Sequence, residues 1–467
     1  MEYLLSEESF NQTFGIENAA DGTPLQLKHH SPGQRIRLFP FKTHRESPEL
    51  SLIVGEYLRF FEEDIPSIDR NELKERISDH VQTEKPQELF QIISELYFEK
   101  NDAGEYLLRP LNVEFMSTIP CENKYCRLAY YLASTLGTYN EVRSSIEKNR
   151  TTQHNKCNVL EKFLISEFHK TEASEGTSIT EKFFKVIDCL DGCFNEDFEY
   201  IVSSESRSRE YLLELLSLYY FTYTVQSELQ LNRFFEGERD QLSPIYFCLE
   251  WEKTNQNRLC YKQGWKFVNE ALTKMFSHAN VLEMLNQTNS TTDEPIDYIR
   301  LNELISEGML NDFQVAAQIR EISNIYVKHI VDCPEIAAID YEDFSSPTEK
   351  EIHHLFKCVE KQFELKRSGP RDKYKACFTD FCKTYLQNRG RSGDMLCISE
   401  DRLIFLTKLC IKDQPKMRLN DVFTSFEKRG ISFDAQSKIA ITEFYEKLNL
   451  IEKKSDSGDA QYVKRIL

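Results

Sequence analysis

The last seventy or so residues constrain the fold more tightly than any other stretch of the chain. Ser399 is placed to cap a helix running to Lys412, with Leu403, Leu406, Thr407 and Cys410 on one face. Beyond Pro415, the residues Leu419, Val422, Phe423 and Phe426 recur at i, i+3, i+4 and i+7. Gly430 follows Lys428 and Arg429, where a left-handed C-cap belongs. Asp434 then caps a third helix whose Ala440, Ile441, Phe444, Tyr445 and Leu448 share a face. Leu450 to Lys454 reads as a strand, Ser455 to Asp459 as a turn, and Ala460 to Leu467 as the returning strand with Tyr462 and Val463 at its apolar positions. Three amphipathic helices and a hairpin predict a winged helix-turn-helix over 389–467, entered through the short basic linker Asn388 to Asp394.

The same ending recurs earlier. Pro86 opens a helix with a Leu89, Ile92, Ile93 and Leu96 stripe, after helices near 52–61 and 70–82. Leu96 to Lys100, the turn Asn101 to Gly104 and Glu105 to Arg109 then read as a hairpin, so a second winged helix is expected over 51–110. Residues 1–50 are punctuated by Pro24, Pro32, Pro40 and Pro48. They are expected to be irregular apart from one basic strand, Gln34 to Phe41. The stretch 111–388 reads as a helical body, with helices at 122–147, 157–170, 179–190, 198–235, 243–252, 263–286, 311–332, 347–366 and 371–388. With Gly (16) and Pro (14) sparse against Phe (32) and Tyr (22), the expected class is mainly α: a multi-domain helical body with a winged helix at the C-terminus and another near the N-terminus.

A formal charge of −18 argues against a chain that coats nucleic acid over its whole surface. Residues 351–467 nevertheless hold 23 Lys and Arg against 17 Asp and Glu, so DNA contact, if any, belongs to that quarter. The 13 cysteines show no regular framework, the N-terminus lacks the basic start and apolar core of a secretion signal, and no apolar run reaches membrane length. Those features predict a cytoplasmic protein with free thiols and no membrane association.

Catalytic motifs are missing. No P-loop, no H-E-x-x-H, no G-x-S-x-G and no dinucleotide fingerprint occurs, so no cofactor is expected and the chain reads as a non-enzyme. Nucleases hold a divalent ion with an Asp and a Glu-x-Lys; Glu72-Leu73-Lys74 and Glu364-Leu365-Lys366 match that triplet but fall in helical patterns, where a solvated face is the simpler reading. Cys121, Cys126, His154 and Cys157 have zinc-like local spacing, yet Cys126 and Cys157 also fit apolar helix faces, so no metal is expected.

A winged helix serves two purposes, and the residues leave both open. The exposed face of the third helix offers Gln436, Ser437, Lys438, Thr442 and Lys447, and the wing adds Lys453 and Lys454. With Arg389 and Arg391 of the linker, these are the candidate contacts to double-stranded DNA. Glu443 and Glu446 sit unfavourably for phosphates, which suits docking onto protein instead.

The run Phe426-Glu427-Lys428-Arg429-Gly430-Ile431, the ending Tyr445 to Val463 and the linker Arg389-Gly390-Arg391-Ser392-Gly393 resemble the C-terminus of the G subunit (DptG) of the bacterial DNA phosphorothioation-dependent restriction system. The resemblance covers residues 389–467. It implies an antiviral defence complex of three subunits that attacks DNA lacking a backbone sulfur mark, with nucleotide hydrolysis left to the other two. This chain would then be a non-catalytic DNA-binding or scaffolding subunit. The alternatives are a helical adaptor whose winged helices dock only protein, and a metal-dependent nuclease subunit. The resemblance supplies no catalytic residues.

Overall fold

The computed structural model of the chain describes residues 3–29, 33–42, 50, 53–62, 64–67, 70–80, 82, 84–100, 106–108, 117, 123–156, 158–167, 169–172, 182–203, 208–288, 294–453 and 461–466. It is mainly helical and divides into two compact units: 48–182 with 190–220, and 1–47 with 183–189 and 221–467.

In the first unit, helices Arg70–His80, Pro86–Tyr97 and Val159–Ser166 close over Leu73, Ile77, Phe90, Ile93, Tyr97, Phe98 and Leu164. The Pro86 helix is rotated from its expected phase. Phe90, Ile93 and Tyr97 are buried, whereas Ile92 and Leu96 are each 50% exposed. Two aromatic rings remove more apolar area from water than the aliphatic stripe would, so they take the inside. The strands are β1 (Asp64–Ser67), β2 (Phe98–Lys100), β3 (Tyr106–Leu108) and β4 (His169–Glu172). β2 and β3 form the expected hairpin, while β1 pairs antiparallel with β4. The helix expected over 122–147 is broken by Gly137, whose φ of 72° lies in the left-handed region; helices Asn123–Thr135 and Tyr139–Lys156 flank it.

The second unit is built around helix Met275–Leu285, buried on every side. Helices Asp312–His329 and Pro347–Leu365 are tied together by Arg320 to Glu351 (2.6 Å), Ser323 to His354 (3.1 Å) and Tyr326 to Gln362 (2.8 Å). Near the N-terminus, Glu7–Phe14 forms a helix capped by Ser6, where irregular structure was expected. Residues 36–39 form neither helix nor strand, so the basic strand makes no ladder among the described residues; Phe184 N–H donates to the Arg37 carbonyl. Residues 182–188 are not helical, against the expected 179–190 helix.

The remaining strands are β5 (Tyr246–Leu249), β6 (Leu386–Asn388), β7 (Asp394–Ile398), β8 (Lys416–Arg418), β9 (Ser432–Phe433), β10 (Ile451–Lys453) and β11 (Gln461–Lys464). They form two sheets, ordered β6-β7-β5-β9 and β10-β11-β8. In the first, β5 runs parallel to both β7 and β9. Its run Ile245-Tyr246-Phe247-Cys248-Leu249 has no polar alternation because both faces are covered, which is why it reads as helix by periodicity. The expected helix 371–388 ends at Cys382, and the basic stretch 388–394 is the turn joining β6 to β7.

Helices Glu400–Ile411, Leu419–Glu427 and Ala435–Lys447 follow the expected order, with the antiparallel sheet β10-β11-β8 beside them. Ser399 and Asp434 cap as expected, through the N–H groups of Arg402 (3.3 Å) and Ser437 (3.1 Å). Gly430 takes φ 78°. Leu403, Leu406, Thr407, Cys410, Val422, Phe423, Phe426, Ile441, Phe444 and Tyr445 are all buried, whereas Leu448, expected in the core, is exposed.

Candidate functional site

The third C-terminal helix, Ala435–Lys447, is anchored at its first turn. Arg258 forks onto Asp434, with Nε 3.0 Å from Oδ2 and Nη2 2.5 Å from Oδ1. The same guanidinium donates to Ser437 Oγ (2.7 Å) and pairs with Glu252 Oε1 (2.8 Å), to which the Ser437 hydroxyl also donates (2.9 Å). The Arg258 side chain is 5% exposed. Burial opposes ionisation of Asp434, but the Arg258 fork and the Ser437 N–H outweigh it and hold this carboxyl below its ordinary range. Glu252 is pushed the other way, because burial exceeds the help it receives from Arg258. Ser437, a candidate DNA contact by sequence, is thus fully buried in the anchor.

Between this helix and Leu419–Glu427 lies an open groove of about 510 Å³. Leu419, Phe423 and Ile439 give it an apolar floor, and Ile439 is 60% exposed. Glu427 and Glu443 contribute carboxylates to the lining. Lys438 lies over the Phe423 ring (5.2 Å) with its ammonium 3.0 Å from Glu427. Asn420, Thr424, Thr442 and Gln461 complete the lining, so the groove joins an apolar patch to a polar rim with an acidic bias, its one described lysine being already matched by a carboxylate.

The other candidate residues do not converge on one basic face. Gln436 is exposed, and the Thr442 hydroxyl donates to its own helix at Lys438 O (2.8 Å). Lys447 is exposed in the last helical turn, where a cation complements the carbonyl end of the dipole. Lys453 sits 2.8 Å from Glu446, and Lys454 lies outside the described residues. Arg389 is turned into the fold, donating to the carbonyls of Leu249 (2.8 Å) and Glu250 (2.9 Å); Arg391 is exposed on the β6–β7 turn.

Of the zinc-spaced set, Cys121 and Cys157 lie outside the described residues, Cys126 is half-buried in helix Asn123–Thr135, and His154 falls in helix Tyr139–Lys156. Both Glu-x-Lys triplets lie on helices; Glu72 pairs with Arg76 and Glu364 with Lys361. No described helix is long and apolar enough to cross a membrane.

Sequence reasoning missed Glu252 and Arg258. Their partners lie more than 170 positions away in the chain, at Asp434 and Ser437, and no local pattern announces such a pairing. No family model matches the chain, and a search of curated proteins returns no match.

Proposed function

We propose that the chain is a non-catalytic scaffolding subunit of a phosphorothioation-dependent restriction complex, and that its C-terminal domain is a winged helix used to grip a partner protein. The order helix, β8, helix, β9, helix, β10, β11, with β8, β10 and β11 in one antiparallel sheet, supports the winged-helix reading; β9 instead pairs in parallel with β5. The corresponding reading of 51–110 has weaker support, because β1 pairs with β4 and leaves the β2–β3 hairpin on its own among the described residues. Membership of the restriction complex rests on the resemblance of residues 389–467.

The observation that carries the docking role is the groove. Its apolar floor of Leu419, Phe423 and Ile439, flanked by Glu427 and Glu443, fits an amphipathic partner segment with a basic edge. DNA contact is the second reading, favoured by exposed Lys447 and the wing lysines. Against it, Lys438 and Lys453 already face Glu427 and Glu446, and a phosphate would meet those carboxylates.

The test is coexpression of the full chain with the two nucleotide-hydrolysing subunits that the resemblance implies as partners. Wild type is expected to retain them on purification, and Ile439→Asp to lose them by about 10-fold or more in affinity, as expected for a charge placed in an apolar contact. Equal retention by both versions removes the groove from the account. Duplex binding that weakens steeply with salt and depends on Lys447 and Lys453 favours the DNA reading.

A further inference from the structure

Three thiols far apart in the sequence meet at the carboxyl end of β5. Cys248 and Cys397 are register partners on the parallel strands β5 and β7, and their sulfurs are 3.1 Å apart. Cys260, on the single-turn helix Leu259–Lys262, packs into the same cluster. Gly264 permits that approach: a Cβ there would lie 2.0 Å from the Cys260 carbonyl oxygen and 3.1 Å from that of Tyr246. Glu252 completes the group, since one of its carboxylate oxygens and the sulfurs of Cys248 and Cys260 all lie within 4.8 Å of one another.

Simple core packing accounts for thiols alone, because a free cysteine behaves as a small hydrophobe. It does not account for the carboxylate. The Glu252 side chain is 7% exposed, and Oε1 receives Arg258 and Ser437, yet Oε2 is buried with no hydrogen-bond partner. An orphaned buried oxygen of that kind keeps its full desolvation penalty. A cation among the sulfurs would satisfy it. Ligating carboxylates are commonly held in this way, with one oxygen fixed by outer partners and the other left for the metal. Arg389 supplies a second outer cation, with Nη2 3.7 Å from the Cys397 sulfur.

We propose that Cys248, Cys260 and Glu252 bind one zinc ion, with Cys397, whose sulfur lies 3.1 Å from that of Cys248, as the fourth ligand. Tetrahedral zinc with Zn–S bonds of about 2.3 Å sets its thiolates about 3.8 Å apart; the Cys248 and Cys260 sulfurs and a Glu252 oxygen lie within 4.8 Å of one another, and Cys397, 3.1 Å from Cys248, moves slightly away from that sulfur to ligate. Soft thiolates select zinc over magnesium or calcium. Four protein ligands leave no open position, so the ion is structural. It clamps β5, β7 and the Cys260 turn. Through Glu252 it also fixes Arg258 and Ser437, and hence the first turn of the third C-terminal helix. Binding replaces each thiol proton with a bond to the metal and releases that proton to solvent, with no change of oxidation state.

The test uses the full chain, purified under reducing conditions without chelator. Elemental analysis is expected to find about one zinc per chain. Replacement by cobalt is expected to give the near-ultraviolet sulfur-to-cobalt charge-transfer band and the visible bands of a tetrahedral site, a readout that needs no variant. Cys248→Ser and Cys260→Ser are expected to lose both metal and spectrum, while Cys126→Ser keeps them. A reduced chain that carries no zinc and gives no charge-transfer band with cobalt overturns the proposal. Loss of metal in Cys126→Ser, or its retention in folded Cys248→Ser, does so as well.

Discussion

Histidine 353 illustrates how much a single buried ring decides. It stacks against Phe234 (4.0 Å) and Phe344 (4.1 Å), with its side chain 20% exposed. Burial holds its pKa down from the ordinary 6.5 to about 4; Glu342 opposes the shift, and Lys357 and Lys274 reinforce it. The folded state therefore refuses a proton that the unfolded chain accepts between those two values. In that window the unfolded state binds more protons, so this ring's contribution to stability is complete above pH 6.5 and is lost as pH falls toward 4. Glu228, buried and pushed well above its ordinary range mainly by desolvation, acts in the opposite sense, losing stability as pH rises. A variant isolates the histidine. His353→Gln is expected to flatten the acid limb by up to about 1.4 kcal/mol per pH unit, less for the partial exposure of the ring. Urea unfolding followed by tryptophan fluorescence measures it, since both tryptophans, Trp251 and Trp265, lie in the second unit. Parallel pH profiles for the two proteins would contradict it. At the same scale, Arg258 with Asp434 and Glu252 is a buried triad that loses about 3–5 kcal/mol when one partner is removed.

Among the elements, the C-terminal helices were legible because each signal was local: a Ser or Asp cap, a four-residue apolar stripe, a glycine stop. β5 was not legible, because its neighbours β7 and β9 come from residues some 150 and 185 positions on, and a strand covered on both faces has no alternation to display. The thiol cluster fails for the same reason, since Cys397 meets Cys248 only through that parallel pairing. The helix Pro86–Tyr97 was found but misphased, and its phase has a sharp test. Ile93 is wholly buried and Ile92 half exposed, so Ile93→Ala is expected to destabilise the first unit by about 2–5 kcal/mol and Ile92→Ala by less than about 0.5. Amide exchange over residues 86–97 in the full chain reads the difference. Equal acceleration in both variants would restore the aliphatic stripe to the inside.

For the whole molecule, charge and chemistry are what support the proposed protein partner over DNA. The chain carries −18, its sequence lacks a phosphate-cradling glycine loop, and the exposed face of its last helix mixes lysines with Glu443 and Glu446. The features that stand out are a groove with an exposed apolar patch and the buried anchor that holds one wall of it. The most direct measurement is amide exchange of the full chain alone, with the two nucleotide-hydrolysing subunits of the proposed complex, and with a short DNA duplex. The account predicts slowed exchange across Leu419–Glu427 and Ala435–Lys447 when the subunits are added, and no change there with duplex alone. Protection of these helices by duplex alone, or subunit binding that leaves both at their free rates, would contradict it.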